Sequence, residues 1–168
     1  TAFRPLEKGF TDIVSANPDN TPAGIVNDYN CRHLGGVCGN AGIFSCIKDL
    51  TAFVKMLQNG GVPLISEKTL NLAVKNHTVG LNDSRGLGFL IINSNYKQTA
   101  DLFEPYKSFG HCGHTGASLF TNRENGLSVI LLTDATRMVT LKYGKEVYLE
   151  VEQMRHDIHA AIKMDLSR

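Results

Sequence analysis

The chain has 168 residues, and its content of 42% hydrophobic and 20% charged residues is that of a globular domain with a buried core, which excludes a disordered segment. Its formal net charge of +1, without a basic run, gives no electrostatic reason to expect a nucleic-acid partner. No run approaches the roughly 18 apolar residues of a membrane-spanning helix, and no signal-peptide pattern opens the chain, so the sequence leaves its localisation undetermined.

Residues 1–80 are predicted to be irregular at first and helical later. Residues 1–26 are rich in proline, glycine, asparagine and aspartate, which indicates extended, irregular chain. A short helix is predicted over 27–34, where two glycines end it. Ser45 is predicted to cap a longer helix with apolar residues at helical spacing, and Ser66 to cap another that runs towards His77.

Residues 81–168 are predicted to hold the strands and a closing helix. Apolar runs at 86–92, 117–121 and 127–133 read as strands, and a five-residue hairpin loop joins the last two. The predicted core face of the last helix consists of Val147, Val151, Met154, Ile158, Ala161 and Ile162. Grouped strands favour an α+β fold, in which this helix packs on an antiparallel sheet. Nothing in the sequence obviously covers the other face, and exposed strand edges make a homodimer possible.

The cysteines do not form a recognisable metal or disulfide pattern. The four are Cys31, Cys38, Cys46 and Cys112, and no two of them make a Cys-x-x-Cys pair. We expect free or buried thiols, with a disulfide or a zinc site involving Cys31 and His33 as weaker alternatives. No metal or other cofactor is predicted.

The most informative stretch is the glycine-rich run from Phe109 to Ser118. Glycine within a strand usually marks a place where a ligand or another backbone comes close. If the run is a strand, alternation places His111 and Gly113 on one face and Cys112 and His114 on the other. A metal site from these histidines and Cys112 is a weak alternative, because ligands so close in a strand diverge.

Two motifs together resemble one enzyme superfamily. The segment from Leu34 to Ser45, followed by Asp49-Leu50, and the run from Gly110 to Ser118 resemble the serine β-lactamase/penicillin-binding protein superfamily. The similarity is to its class C-like members, which include esterases and D-alanyl-D-alanine peptidases. The resemblance implies a partial β-lactamase/transpeptidase-like fold, in which residues 1–80 and 81–168 are parts of one larger domain. Most members of the superfamily are extracytoplasmic or associated with the cell envelope, but the location of this chain stays undetermined.

The resemblance assigns roles to five consecutive residues. His114 stands where the family has a lysine or histidine beside its serine, and a histidine there exchanges protons near neutral pH. The substrate-binding residues implied are Thr115, Gly116, Ala117 and Ser118. Among them, the Thr115 hydroxyl binds a substrate carboxylate or carbonyl, and Gly116 leaves room for its approach. The backbone N–H of Ala117 supplies half of an oxyanion hole.

The nucleophile is the element that the sequence lacks. The family acts through a serine in a Ser-x-x-Lys motif, which should precede Thr1. We therefore expect a C-terminal fragment, inactive alone, whose partner is the missing N-terminal half and whose ligand is a β-lactam, a D-alanyl peptide or an ester. Ser45 and Lys48 also fit Ser-x-x-Lys, with a helix cap favoured over a nucleophile. The alternative function is a non-catalytic peptide-binding or interaction module that uses the His-Thr-Gly strand.

Overall fold

A computed structural model describes residues 1–13, 22–133 and 146–168, the last range by backbone alone up to residue 148. Its helices and strands, in chain order, are α1 (Tyr29–His33), α2 (Ile47–Gln58), α3 (Glu67–Ala73), β1 (Leu90–Ile91), β2 (Ser108–Cys112), β3 (Ser118–Asn122), β4 (Ser128–Leu131) and α4 (Glu146–Leu166). The strands form one antiparallel sheet in the order β1-β2-β3-β4. The α+β prediction, an antiparallel sheet with a long C-terminal helix, is confirmed.

The helix starts show which capping predictions hold. The Ser66 side chain accepts a hydrogen bond from the Thr69 N–H at 3.1 Å, which confirms Ser66 as the cap of α3. The prediction for Ser45 is wrong, because Cys46 occupies the N-cap position of α2 with an extended backbone. The Ser45 hydroxyl instead lies 2.7 Å from the hydroxyl of Thr1. The Ser45 hydroxyl therefore makes a tertiary contact with Thr1 instead of the local capping bond that was predicted.

The sheet is covered on both faces. On one face, a core cluster joins α2 and α3 to the sheet through Leu57, Leu70, Ile91 and Phe109. On the other, Ile92, Phe103, Phe120 and Val129 form a second cluster, against which Ile162 of α4 packs. The expectation of an uncovered second face is therefore wrong. The Gln58 amide, at the end of α2, donates to the Ser128 hydroxyl at 2.8 Å and the Gly126 carbonyl at 2.7 Å, and so ties α2 to the β3–β4 hairpin.

The first predicted strand is shorter than its apolar run suggests. Only Leu90 and Ile91 pair with β2, opposite Gly110 and Phe109. Before them the chain makes a turn, in which the Gly86 N–H donates to the Phe89 carbonyl at 2.8 Å. An apolar run predicts burial, but a glycine-bounded turn cannot continue a ladder.

A glycine in β2 makes room for the main aromatic ring of the core. Gly110 pairs directly with the fully buried Phe120 of β3. A Cβ on Gly110 would lie 1.9 Å from the carbonyl oxygen of Leu119 and 2.6 Å from the Phe120 ring. The expectation that a glycine in this run marks a close approach is confirmed here, although the approaching group is the neighbouring strand and its own core side chain.

The buried face of α4 differs from the predicted one. Val151, Arg155 and His159 are buried, whereas Met154 is half-buried and Ala161 is exposed. His159, which the predicted core face does not include, is fully buried, and its Nδ1 lies 2.7 Å from the Arg155 carbonyl oxygen. Across the described ranges, no helix combines the length and the apolar content needed to cross a membrane.

We predict that Gly110→Ala destabilises the fold strongly. The added methyl group collides with backbone rather than with a flexible side chain, so the free energy of unfolding should fall by about 1–3 kcal/mol or more. Gly39→Ala is the matched control, because its Cβ would meet no atom within 4 Å. We expect that control to change stability by less than about 1 kcal/mol. Urea unfolding of both variants measures the difference, and equal stabilities would contradict the packing of Phe120 over Gly110.

We also predict that acid destabilises the fold through His159. Burial lowers the pKa of this imidazole, so the unfolded chain takes up the proton more readily than the folded one. Its contribution to stability is complete above the unfolded pKa of about 6.5 and is lost as the pH falls below it, with a slope of at most about 1.4 kcal/mol per pH unit. His159→Gln should flatten this dependence of the unfolding free energy, whereas His156→Gln, whose side chain is 41% exposed, should flatten it much less.

Candidate functional site

The predicted His-Thr-Gly strand is a turn in the structure. Strand β2 ends at Cys112 and β3 begins at Ser118. The Gly113 N–H donates to the Ala117 carbonyl at 2.7 Å, and the Gly116 N–H donates back to the Gly113 carbonyl at 3.0 Å. Gly116 has a φ of +93°, a left-handed conformation that favours glycine. The strand assignment of His114 and Thr115 is wrong for this reason: the chain must reverse here so that β3 can pair with β2.

The residues of this run face different sides of the molecule. His111 is exposed and shares its face of β2 with Phe109, towards α2, whereas Cys112 packs on the opposite face. The predicted alternation of these two residues is confirmed, but it does not extend to His114, which lies beyond the strand. His114 is exposed in the turn, and the Thr115 carbonyl accepts a bond from the Thr133 hydroxyl at 3.1 Å.

Ala117 and Ser118, the last two predicted site residues, do not lie on the exposed face that carries His111. Ala117 lies at the turn's end, where its carbonyl is bound by the Gly113 N–H. Ser118 is 5% exposed and pairs with Cys112 and Leu131, so its side chain lies on the face covered by α4. The five predicted residues are therefore adjacent in the chain but do not all line one open surface. Their roles in binding and catalysis stay predictions.

A buried polar network supports the turn from the α4 side. The guanidinium of Arg155, which is 3% exposed, donates to the Gly116 carbonyl at 2.8 Å and also contacts the Gln98 amide oxygen. The Tyr96 hydroxyl donates to that same oxygen at 3.3 Å and lies 3.1 Å from the Cys112 sulfur. Burial, and then the nearby thiol, raise the pKa of Tyr96 far above its ordinary value, so the phenol remains a donor. This network links α4 to the position of the turn.

Strand β1 pairs with only part of one side of β2. Strand β1 pairs with β2 only up to Gly110, and the Ile92 N–H donates to the Ser108 carbonyl at 2.9 Å. Backbone groups alternate in direction along an antiparallel strand, so those of Ser108, Gly110 and Cys112 point towards the β1 side. At Cys112 no described strand occupies that side.

Arg85, which the sequence analysis did not single out, lies beside this end of β2. Arg85 Nη1 lies 3.4 Å from His111 Nε2, and Arg85 Nη2 donates to the Asp83 carboxylate at 3.0 Å. His111 Nδ1 lies 2.8 Å from the Cys112 carbonyl oxygen, which assigns the ring proton to Nδ1 and makes Nε2 the acceptor. The sequence gives only a weak indication, since Asp83 and Arg85 stand just before two glycines. Because 26 positions separate Arg85 from His111, the sequence does not show that they are in contact.

The other candidates form no second site. The cysteines are free, and in the described part of the chain no group of three or more His, Cys, Asp or Glu residues is arranged to hold a metal ion. The Ser45 hydroxyl lies 2.7 Å from the hydroxyl of Thr1, which donates to the Asp49 carboxylate at 2.7 Å. No contact in the described structure pairs Ser45 with Lys48.

Known proteins are similar to this chain in sequence and in fold. The beta-lactamase family model matches residues 2–152. Two curated relatives named D-alanyl-D-alanine carboxypeptidase, from Salmonella paratyphi B and Salmonella newport, are 27% identical over 79% of this chain, which spans 35% of their length. A crystal structure of a beta-lactamase from Mycobacterium bovis matches with a TM-score of 0.57 and 21% identity, over 79% of this chain and 53% of that one. The matched residues include the four strands and the turn of the candidate site, and the chain belongs to the beta-lactamase family.

Proposed function

We propose that this chain is the C-terminal part of a serine hydrolase that transfers acyl groups from a D-alanyl peptide, with a β-lactam or an ester as alternative substrates. The observation that carries the proposal is the end of β2 beyond Gly110, where β1 no longer pairs with the strand and where we place an extended peptide. The family match and the carboxypeptidase names of the Salmonella relatives support this substrate class.

In this proposal the end of β2 and the following turn form one wall of the substrate cleft. His111 is the favoured proton-exchanging group, because it lies on β2 itself, beside the end of the strand with which β1 does not pair. Its Nε2 also faces the neighbouring Arg85 guanidinium. His114, the histidine that the sequence favours, is the alternative. Thr115, Gly116 and the Ala117 amide stay proposed substrate contacts in the turn.

We further propose that the nucleophilic serine comes from an N-terminal half outside this chain. The relatives are longer than the aligned region, and Ser45 is engaged with Thr1 rather than with a general base in the described structure. Strand β4 offers a place for that half to dock, because only β3 pairs with it among the described strands and its sequence is apolar. A homodimer through the same edge is the alternative occupant.

We predict that this chain alone forms no covalent adduct with a fluorescent penicillin or an activated ester. The adduct should appear when the chain is extended by the segment that precedes Thr1 in the full-length protein, because the serine and the cleft wall are then together. Intact mass measures both results. Ser45→Ala is the control and should not change labelling of the extended protein.

Two outcomes would contradict this reading. An adduct on Ser45 of the chain alone would make Ser45 the nucleophile. Binding of a D-alanyl peptide without an adduct in either protein would favour a non-catalytic peptide-binding module. Sedimentation of the two proteins separates the docking alternatives, because the extended protein should be monomeric if its N-terminal half covers β4.

Matched variants test which histidine exchanges protons. In the extended protein, His111→Gln should lower kcat by about 10²–10⁴-fold, since a positioned acid or base contributes an effect of that size. His114→Gln should lower it less than about tenfold. Thermal unfolding of both variants controls for loss of fold. The reverse order of effects would restore the assignment to His114.

A further inference from the structure

We propose that Arg155 of α4 is a positioning residue for the proposed acyl transfer: it holds the Gly116 carbonyl from beneath the turn and thereby sets the direction of the Ala117 N–H. The inference rests on the proposed function, because it takes the Ala117 N–H as a donor of the oxyanion hole. It adds a residue that touches no substrate and acts on the site through one peptide bond.

The peptide bond between Gly116 and Ala117 connects the two groups. A peptide unit is planar, and in its trans form the C=O and the N–H point in opposite directions. Arg155 Nη2 donates to the Gly116 carbonyl at 2.8 Å, and both residues are buried on the α4 side of the turn. The Ala117 N–H therefore points away from the Arg155 guanidinium as long as this hydrogen bond is made.

The turn removes the Ala117 N–H from the strand ladder. In a regular antiparallel pair, Gly113 and Ala117 would exchange two hydrogen bonds. One of these is made, from the Gly113 N–H to the Ala117 carbonyl at 2.7 Å, but the Gly116 N–H occupies the Gly113 carbonyl at 3.0 Å. This is the pattern of a glycine bulge, which the φ of +93° at Gly116 allows. No residue in the described part of the chain accepts a hydrogen bond from the Ala117 N–H, so this group can donate to a ligand.

The Arg155 guanidinium is itself held in a fixed orientation. Its Nη1 contacts the Gln98 amide oxygen, while its Nη2 binds the Gly116 carbonyl. The Tyr96 hydroxyl donates to the same Gln98 oxygen at 3.3 Å. Because the N–H groups of an arginine lie in one rigid plane, the contact with Gln98 determines the direction from which the Gly116 carbonyl is held.

The burial of this charge supports a directing role. Arg155 is 3% exposed, and burying a guanidinium costs free energy that its acceptors must offset. Among the described residues, its Nη groups reach the uncharged oxygens of Gln98 and Gly116, and its Nε has no partner. An apolar side chain of similar volume would fill the same space without that cost. It could not hold the Gly116 carbonyl.

The test compares acylation by an activated ester and by its thionoester in the extended protein defined above. Sulfur accepts hydrogen bonds more weakly than oxygen, so the ratio of the two acylation rates, the ester preference, measures how well the oxyanion donors are aligned. Arg155→Lys keeps the charge but holds one acceptor at a time. We expect it to slow acylation by the ester about 10–100-fold, less than the loss of a whole oxyanion donor, and to lower the ester preference.

A second variant tests the same contacts with a smaller change. Tyr96→Phe removes the hydroxyl that donates to Gln98 and keeps the ring, whose centroid lies 5.6 Å from that of Phe120. It should lower the ester preference by a smaller factor than Arg155→Lys does. If Arg155→Lys does not fold, the result for Tyr96→Phe decides alone.

Arg123→Gln is the matched control, and thermal unfolding of each variant measures loss of fold. Arg123, on the β3–β4 loop, donates to the Asn71 amide oxygen at 2.7 Å and does not contact the turn in the described structure. Its variant should keep the full ester preference. An unchanged preference in both Arg155→Lys and Tyr96→Phe would overturn the inference while the proposed function stands. If neither compound acylates the extended protein, the proposed function fails and this inference fails with it.

Discussion

The packing of Phe120 over Gly110 is the contact on which the rest of this structure depends. A side chain on residue 110 would collide with the backbone of β3, so the absence of a Cβ lets the two central strands and the ring share one space. Because a slip of one residue would move every side chain to the other face, this single fit sets the register of β2 against β3. That register in turn places Gly113 opposite Ala117 and makes the residues between them a turn.

The candidate site follows from that register and from the short length of β1. Since β1 stops opposite Gly110, no described strand pairs with the β1 side of Cys112, next to the exposed His111. The opposite face is occupied by Tyr96, Gln98 and Arg155, whose bonds reach Cys112 and the carbonyl of the turn. One face of the strand end is thus packed against this polar network, and the other carries the solvent-exposed His111. The proposed cleft wall uses this division.

Much of the fold was predictable because it depends on local rules. Periodicity located α2, α3, α4 and the β3–β4 hairpin, and the Ser66 cap is a local hydrogen bond. The errors arise where distant groups compete with local preference. Thr1 engages the hydroxyl of Ser45, and α2 returns to cover the face that no neighbouring segment reaches. His159 is buried because the rings of Phe103 and Phe120, which come from distant parts of the chain, pack against its imidazole.

For the site, the sequence by itself determined the family resemblance and the region between Phe109 and Ser118, because glycines and histidines in that order are visible without coordinates. Only the tertiary structure decided which of those residues lie on a strand, which lie in a turn, and that Arg85 stands beside His111. The reason is physical. Strand length and reversal are set by what the neighbouring strand can pair with, and a contact between residues 26 positions apart depends on how the sheet brings them together.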